Sequence, residues 1–131
     1  MGCLIDTCVI ISAERGIVDF SRRLKGLENE TFCISTITVS ELLFGVHKAP
    51  DSHVRTRRKA FVEDILLKFP ILPIDLPVAR THAELWAELS SSGKLIGSHD
   101  LWIAASCLAY GHILVTDNRK DFLKITNLSI R

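Results

Sequence analysis

The sequence has 131 residues, of which 47% are hydrophobic and 24% charged, with a formal net charge of +1. This composition excludes a disordered chain, and the length suits one domain over residues 1–131 with a real core. No apolar stretch is long enough to span a membrane, and near-neutrality neither demands nor excludes a nucleic-acid partner, because a local basic patch suffices for binding.

In chain order, "GCLID" (2–6) reads as a short buried strand ending on a carboxylate, Asp6. A helix pair follows to about residue 28, with Gly16 and Gly26 as breaks. "TFCIS" (31–35) is a second strand. In "TVSELLFGVHKA" (38–49), Thr38 and Glu41 have the spacing of a capping box ahead of an apolar stripe of Leu42, Leu43 and Val46. Residues 52–68 form a helix with a basic first half. "ILPI" (71–74) is a strand bounded by prolines, and 77–91 is a helix with Val78, Leu85, Trp86 and Leu89 on one broad side.

"SHDLWIAASCLAYG" (98–111) reads as a buried helix capped by Ser98 and closed by Gly111. "HILVT" (112–116) is a fully buried strand, Asp117 and Asn118 a turn, and "NLSI" (127–130) a final edge strand. Short apolar strands alternating with helices specify an α/β sandwich around a mostly parallel sheet. The cysteines Cys3, Cys8, Cys33 and Cys107 match no zinc spacing and read as small reduced residues. No secretory signal pattern is visible, so the chain reads as cytoplasmic, with no membrane association.

Four acids recur at one kind of position. Asp6 and Asp117 follow strands, while Glu41 and Asp100 sit in the first turns of helices. In a parallel α/β sheet these places share one rim, the rim where ligands bind. Each acid alone is explained by a cap, a helix dipole or a turn. Together they are harder to explain, since two like charges about 4 Å apart repel by about 4 kcal/mol at an effective dielectric of about 20. No Lys or Arg is close in sequence to Asp6, Glu41 or Asp100. A divalent cation resolves the repulsion, and all-oxygen ligands favour Mg²⁺ or Mn²⁺ over zinc. A cation so held activates water and stabilises phosphate charge, which is the chemistry of phosphodiester hydrolysis.

"LIDTCVI", "ISTITVSELLFGV", "GKLIGSHDLWIAASCLAYGHILVTDNRKDF" and "ITNLSI" resemble the PIN domains, and within them the VapC-type toxin ribonucleases of toxin–antitoxin pairs. The resemblance spans nearly the whole chain. It implies a three-layer α/β/α sandwich and a Mg²⁺- or Mn²⁺-dependent endoribonuclease acting on RNA. It further implies a homodimer inhibited by a VapB-type antitoxin whose tail lies in an apolar groove near the acids. It places catalysis on Asp6, Glu41, Asp100 and Asp117, with metal on Asp6, Asp100 and Asp117. Cys8 departs from the family, which commonly carries Asn or Ser there.

Thr7 and Thr116 flank two of the acids and are expected to support them. Arg55, Arg57, Arg58 and Lys59 form the main basic cluster and are candidate RNA contacts, with Arg22, Arg23 and Lys25 a weaker one. The alternative reading is a PIN-like subunit that binds nucleic acid without cutting it.

Overall fold

The computed structural model describes residues 2–131. Four strands, β1 (Gly2–Ile5), β2 (Thr31–Ser35), β3 (Ile71–Leu72) and β4 (Ile113–Val115), form one parallel sheet in the order β3-β2-β1-β4. Cys3 of β1 pairs with Phe32 of β2 on one side and Ile113 of β4 on the other. Residues 127–130 do lie along β4, through a parallel bridge from Leu114 to Ile130, but make no full strand.

The strand order fixes the layers. From β1 the chain moves outward to β2 and β3 through α1 (Thr7–Glu14), α2 (Phe20–Arg23), α3 (Thr36–His47) and α4 (Ser52–Lys68). It then reverses across β1 to β4 through α5 (Leu76–Ser91) and α6 (Ser98–Tyr110). Because parallel crossovers are right-handed, reversing direction moves the connecting helices to the opposite face of the sheet. Side chains alternate accordingly. Cys3, Ile5, Ile34 and Val115 pack with Val9, Leu42, Val62 and Ile65 on one face. Leu4 and Leu114 pack with Leu85, Leu101, Ile103 and Phe122 on the other. The result is the expected three-layer α/β/α sandwich.

Several element ends differ from the sequence reading. The cap of α3 is Ser35, whose Oγ accepts the Thr38 N–H at 3.0 Å, so the helix starts at Thr36 and Thr38 lies inside it. Ser98 is likewise a helical residue, the first of α6, and the cap position is Gly97, which offers no side chain. Gly111 does close α6 in the left-handed conformation, at φ 65°. Trp86 is not on the buried side of α5 and stands 55% exposed, while His82 is buried and stacks on Trp102 with ring centroids 3.5 Å apart. A short helix, α7 (Arg119–Phe122), follows the turn at 117–118.

Candidate active site at the carboxyl rim of the sheet

The reversal of direction at β1 places the switch point of the sheet at the carboxyl ends of β1 and β4, where ligands bind in such folds, and Asp6 stands there. Asp6 is only 4% exposed. A buried carboxylate requires hydrogen bonds to remain charged, and Asp6 has them on both oxygens. Its Oδ1 accepts the Thr7 N–H at 2.8 Å, and its Oδ2 accepts the Thr116 hydroxyl at 2.7 Å. Cys8 adds its thiol, with Sγ 3.3 Å from the same Oδ2. Burial first, and then the charge of Asp6, push the Cys8 thiol pKa up, so Cys8 remains protonated and donates. The position where the resemblance leads one to expect Asn or Ser is therefore still a donor to the first acid, by way of sulfur.

Glu41 is reached through a relay of hydroxyls. Thr7 Oγ1 donates to Glu41 Oε1 at 2.8 Å and lies 3.0 Å from Thr38 Oγ1, itself 3.3 Å from Ser35 Oγ. A hydroxyl has one proton and the carboxylate only accepts, so Thr38 supplies the proton between the threonines and Ser35 the next one back. The second oxygen of Glu41 faces His99 Nδ1 at 3.5 Å.

Asp100 enters from the first turn of α6, with small buried residues, Ala104 and Cys107, behind it. Burial is the main cause that raises its pKa to about 6, followed by the charges of Asp6, Glu41 and Asp121. That list differs from the sequence reading in one member. Asp117 turns away, about half exposed, and pairs with Arg23 at 3.2 Å. The Arg23 guanidinium also donates to the carbonyls of Thr116 and Arg131, both at 2.9 Å, so its hold on Asp117 is part of a clasp. Asp121 stands nearer, its charge among those that raise the Asp100 pKa, and it also pairs with Lys124 at 3.6 Å. Asn118 Nδ2 lies 3.1 Å from Asp100 Oδ2 and 3.4 Å from Asp121 Oδ2, bridging the two acids. Its backbone N–H donates to Thr116 Oγ1 at 3.0 Å, which joins both halves of the site. The missed residue had a signal: in "DNRKDF" a second acid follows Asp117 by one helical turn.

The basic run on α4 divides, because residues on a helix advance by about 100° each: Arg55, Arg58 and Lys59 share one face and Arg57 stands apart from Arg55 and Lys59. Arg58 is committed internally, donating to the Gly45 carbonyl at 3.0 Å and lying 4.0 Å from Glu14. Arg57 lines a cleft with Arg15 and Phe61.

The donors around the switch point suit a hard divalent cation. Asp6, Glu41, Asp100 and Asp121 offer only oxygen, and among the described residues no Lys or Arg forms an ion pair with Asp6, Glu41 or Asp100. The cage is open: among the described residues, no three His, Cys, Asp or Glu side chains are already gathered around one point. A cation held there would need the carboxylate rotamers to close on it.

A PIN domain family model matches residues 3–128. Ribonuclease VapC1 of Rickettsia felis is 36% identical over 130 residues, covering 99% of this chain and 95% of that protein. The tRNA(fMet)-specific endonuclease VapC of Shigella flexneri is 28% identical over 125 residues, covering 95% and 92%. The crystal structure of VapBC2 from Rickettsia felis bound to a promoter DNA fragment aligns with a TM-score of 0.89 and 28% identity, over 100% of this chain and 98% of that one. The chain belongs to the PIN-domain family, among its VapC-type ribonucleases.

Proposed function

We propose that this VapC-type ribonuclease is the toxin of a toxin–antitoxin pair and hydrolyses RNA phosphodiester bonds with Mg²⁺ or Mn²⁺ held by Asp6, Glu41, Asp100 and Asp121. The observation that carries the metal assignment is the grouping of Asp6, Glu41 and Asp100, none of which pairs with a Lys or Arg among the described residues, with the carboxyl of Asp100 pushed up to about 6 by burial and by its acidic neighbours. When bound, a divalent cation lowers the pKa of water and offsets charge on the phosphate. The chain's own residues do the rest. Thr116, Thr7 and Cys8 fix the orientation of Asp6, and the Ser35–Thr38–Thr7 relay does the same for Glu41. Asn118 spaces Asp100 from Asp121. Nothing favours the reading of a non-cutting binder, because anions gathered at the rim repel a phosphate backbone unless a cation intervenes.

The partner is a VapB-type antitoxin, as in the VapBC assemblies this fold matches. An antitoxin Arg inserted among the acids would replace the cation's charge compensation. We also assign a homodimer, seated on the apolar patch around Trp86, Leu95 and Trp102. Cleavage of structured RNA by the purified protein should require Mg²⁺ or Mn²⁺, and Asp6→Asn or Asp100→Asn should abolish it while circular dichroism stays unchanged. Full activity in either variant, or in EDTA, would overturn the mechanism.

A further inference from the structure

Beside the acids lies a second feature that the hydrolytic chemistry does not use. It is a largely apolar cavity of about 460 Å³, lined by Thr7, Ile11, Glu41, Phe44, Gly45 and His99 among others. Phe44 follows Glu41 by three residues on α3, so both project from one side of the helix. It is 62% exposed, although burial would favour a residue of its size. His99 precedes Asp100, and its ring is anchored by Glu41 Oε2. Gly45 leaves the floor open: a Cβ built there meets nothing within 4 Å. Two walls of the cavity, Thr7 and Glu41, also belong to the acidic centre.

We propose that this cavity is a nucleobase subsite, in which a base of the single-stranded RNA adjoining the scissile phosphate stacks on Phe44 with His99 as the facing wall. The inference rests on the ribonuclease reading above. Unstacked bases are bound mainly by aromatic faces, and a pocket contiguous with the acids is within reach of the nucleoside attached to the phosphate they engage. Charge supports an RNA strand over an apolar peptide. Past Gly45 the surface continues into clefts where Arg58 is taken up by Glu14 and the Gly45 carbonyl, and where Arg15 and Arg57 are the cations suited to the next phosphates.

The test has two arms. In the first, metal-free protein is titrated with each 5′-mononucleotide while the ring protons of Phe44 and His99 are followed by NMR. Ring shifts on both residues are expected, with the His99 shift weakened in Phe44→Ala and both weakened in Gly45→Leu, which places bulk in the cavity. Absence of shifts at these rings overturns the subsite. In the second, a short single-stranded RNA that the wild type cuts is compared with versions abasic beside the cleaved bond. Phe44→Ala should raise KM by about 5- to 150-fold, the range for losing one stacked base, with kcat little changed and Phe44→Tyr restoring it. The abasic RNA should then lose nothing further in Phe44→Ala. Additive losses, or cleavage indifferent to Phe44, overturn the subsite and leave the ribonuclease assignment standing. Ring shifts without any RNA cleavage do the reverse. If Phe44→Ala weakens only binding of the antitoxin, the cavity is a protein seat and the proposal fails.

Discussion

Thr116 illustrates how a single side chain sets the character of the site. It is buried, donates to Asp6 and accepts from the Asn118 backbone, so it joins the two halves of the acid cluster. Thr116→Val leaves the second oxygen of a buried carboxylate short of a donor. Activity should fall about 10- to 100-fold, as for other residues that support a metal ligand. Stability should drop by about 1–3 kcal/mol, measurable by urea denaturation. Cys8→Ser keeps a donor beside Asp6 and should retain activity, whereas Cys8→Val should lower it. Asp100 has a pH signature of its own. Its folded carboxyl titrates near 6, against an ordinary 3.8, so the folded state holds that proton more tightly than the unfolded chain. The metal-free protein is therefore relieved of the repulsion at low pH and loses stability as pH rises through about 6. In EDTA, the Tm of Asp100→Asn should match wild type near pH 4 and exceed it above about pH 7. Added Mg²⁺ should narrow that gap by stabilising only the wild type.

At the scale of elements, the start of α3 couples folding to the site. Ser35 ends β2, caps α3 through the Thr38 N–H, and heads the relay that reaches Glu41. Ser35→Ala should cost about 1 kcal/mol as a lost cap, read from the denaturation midpoint. It should also lower kcat, because Thr38 and Thr7 lose the hydroxyl that orders them. A cap elsewhere separates the two effects. Asp51 caps α4 through the Val54 N–H, on a helix that carries none of the acids of the site. Asp51→Ala should therefore show the stability loss alone.

For the whole molecule, the sheet divides the core in two and leaves a further apolar surface uncovered. Trp86 and Leu95 are more than half exposed beside the stacked His82–Trp102 pair, around a cavity of about 370 Å³. Burial lowers the pKa of His82, which keeps the ring neutral and suited to a dry interface. If the homodimer forms there, Trp86→Glu should give a monomer by light scattering with its thermal unfolding otherwise cooperative. A dimer that survives this change would move the seam elsewhere.

What the sequence determined by itself was local. The strands and helices follow from periodicity, and the positions of Asp6, Glu41 and Asp100 at element ends follow from that, because parallel α/β connections put such ends on one rim. Its errors were of one kind. Thr38 with Glu41 has capping-box spacing, yet Ser35 caps the helix, because β2 runs directly into α3. Asp117 and Asp121 both follow β4, and spacing alone cannot separate them. Only the tertiary structure places them, by bringing Arg23 from nearly a hundred residues earlier to pair with Asp117, while α7 carries Asp121, itself paired with Lys124, toward Asp100. The same holds for the thiol of Cys8 on Asp6 and the open cavity beside Phe44. Both depend on distances between elements that pack together only when the sheet closes, and no local pattern in the chain encodes such distances.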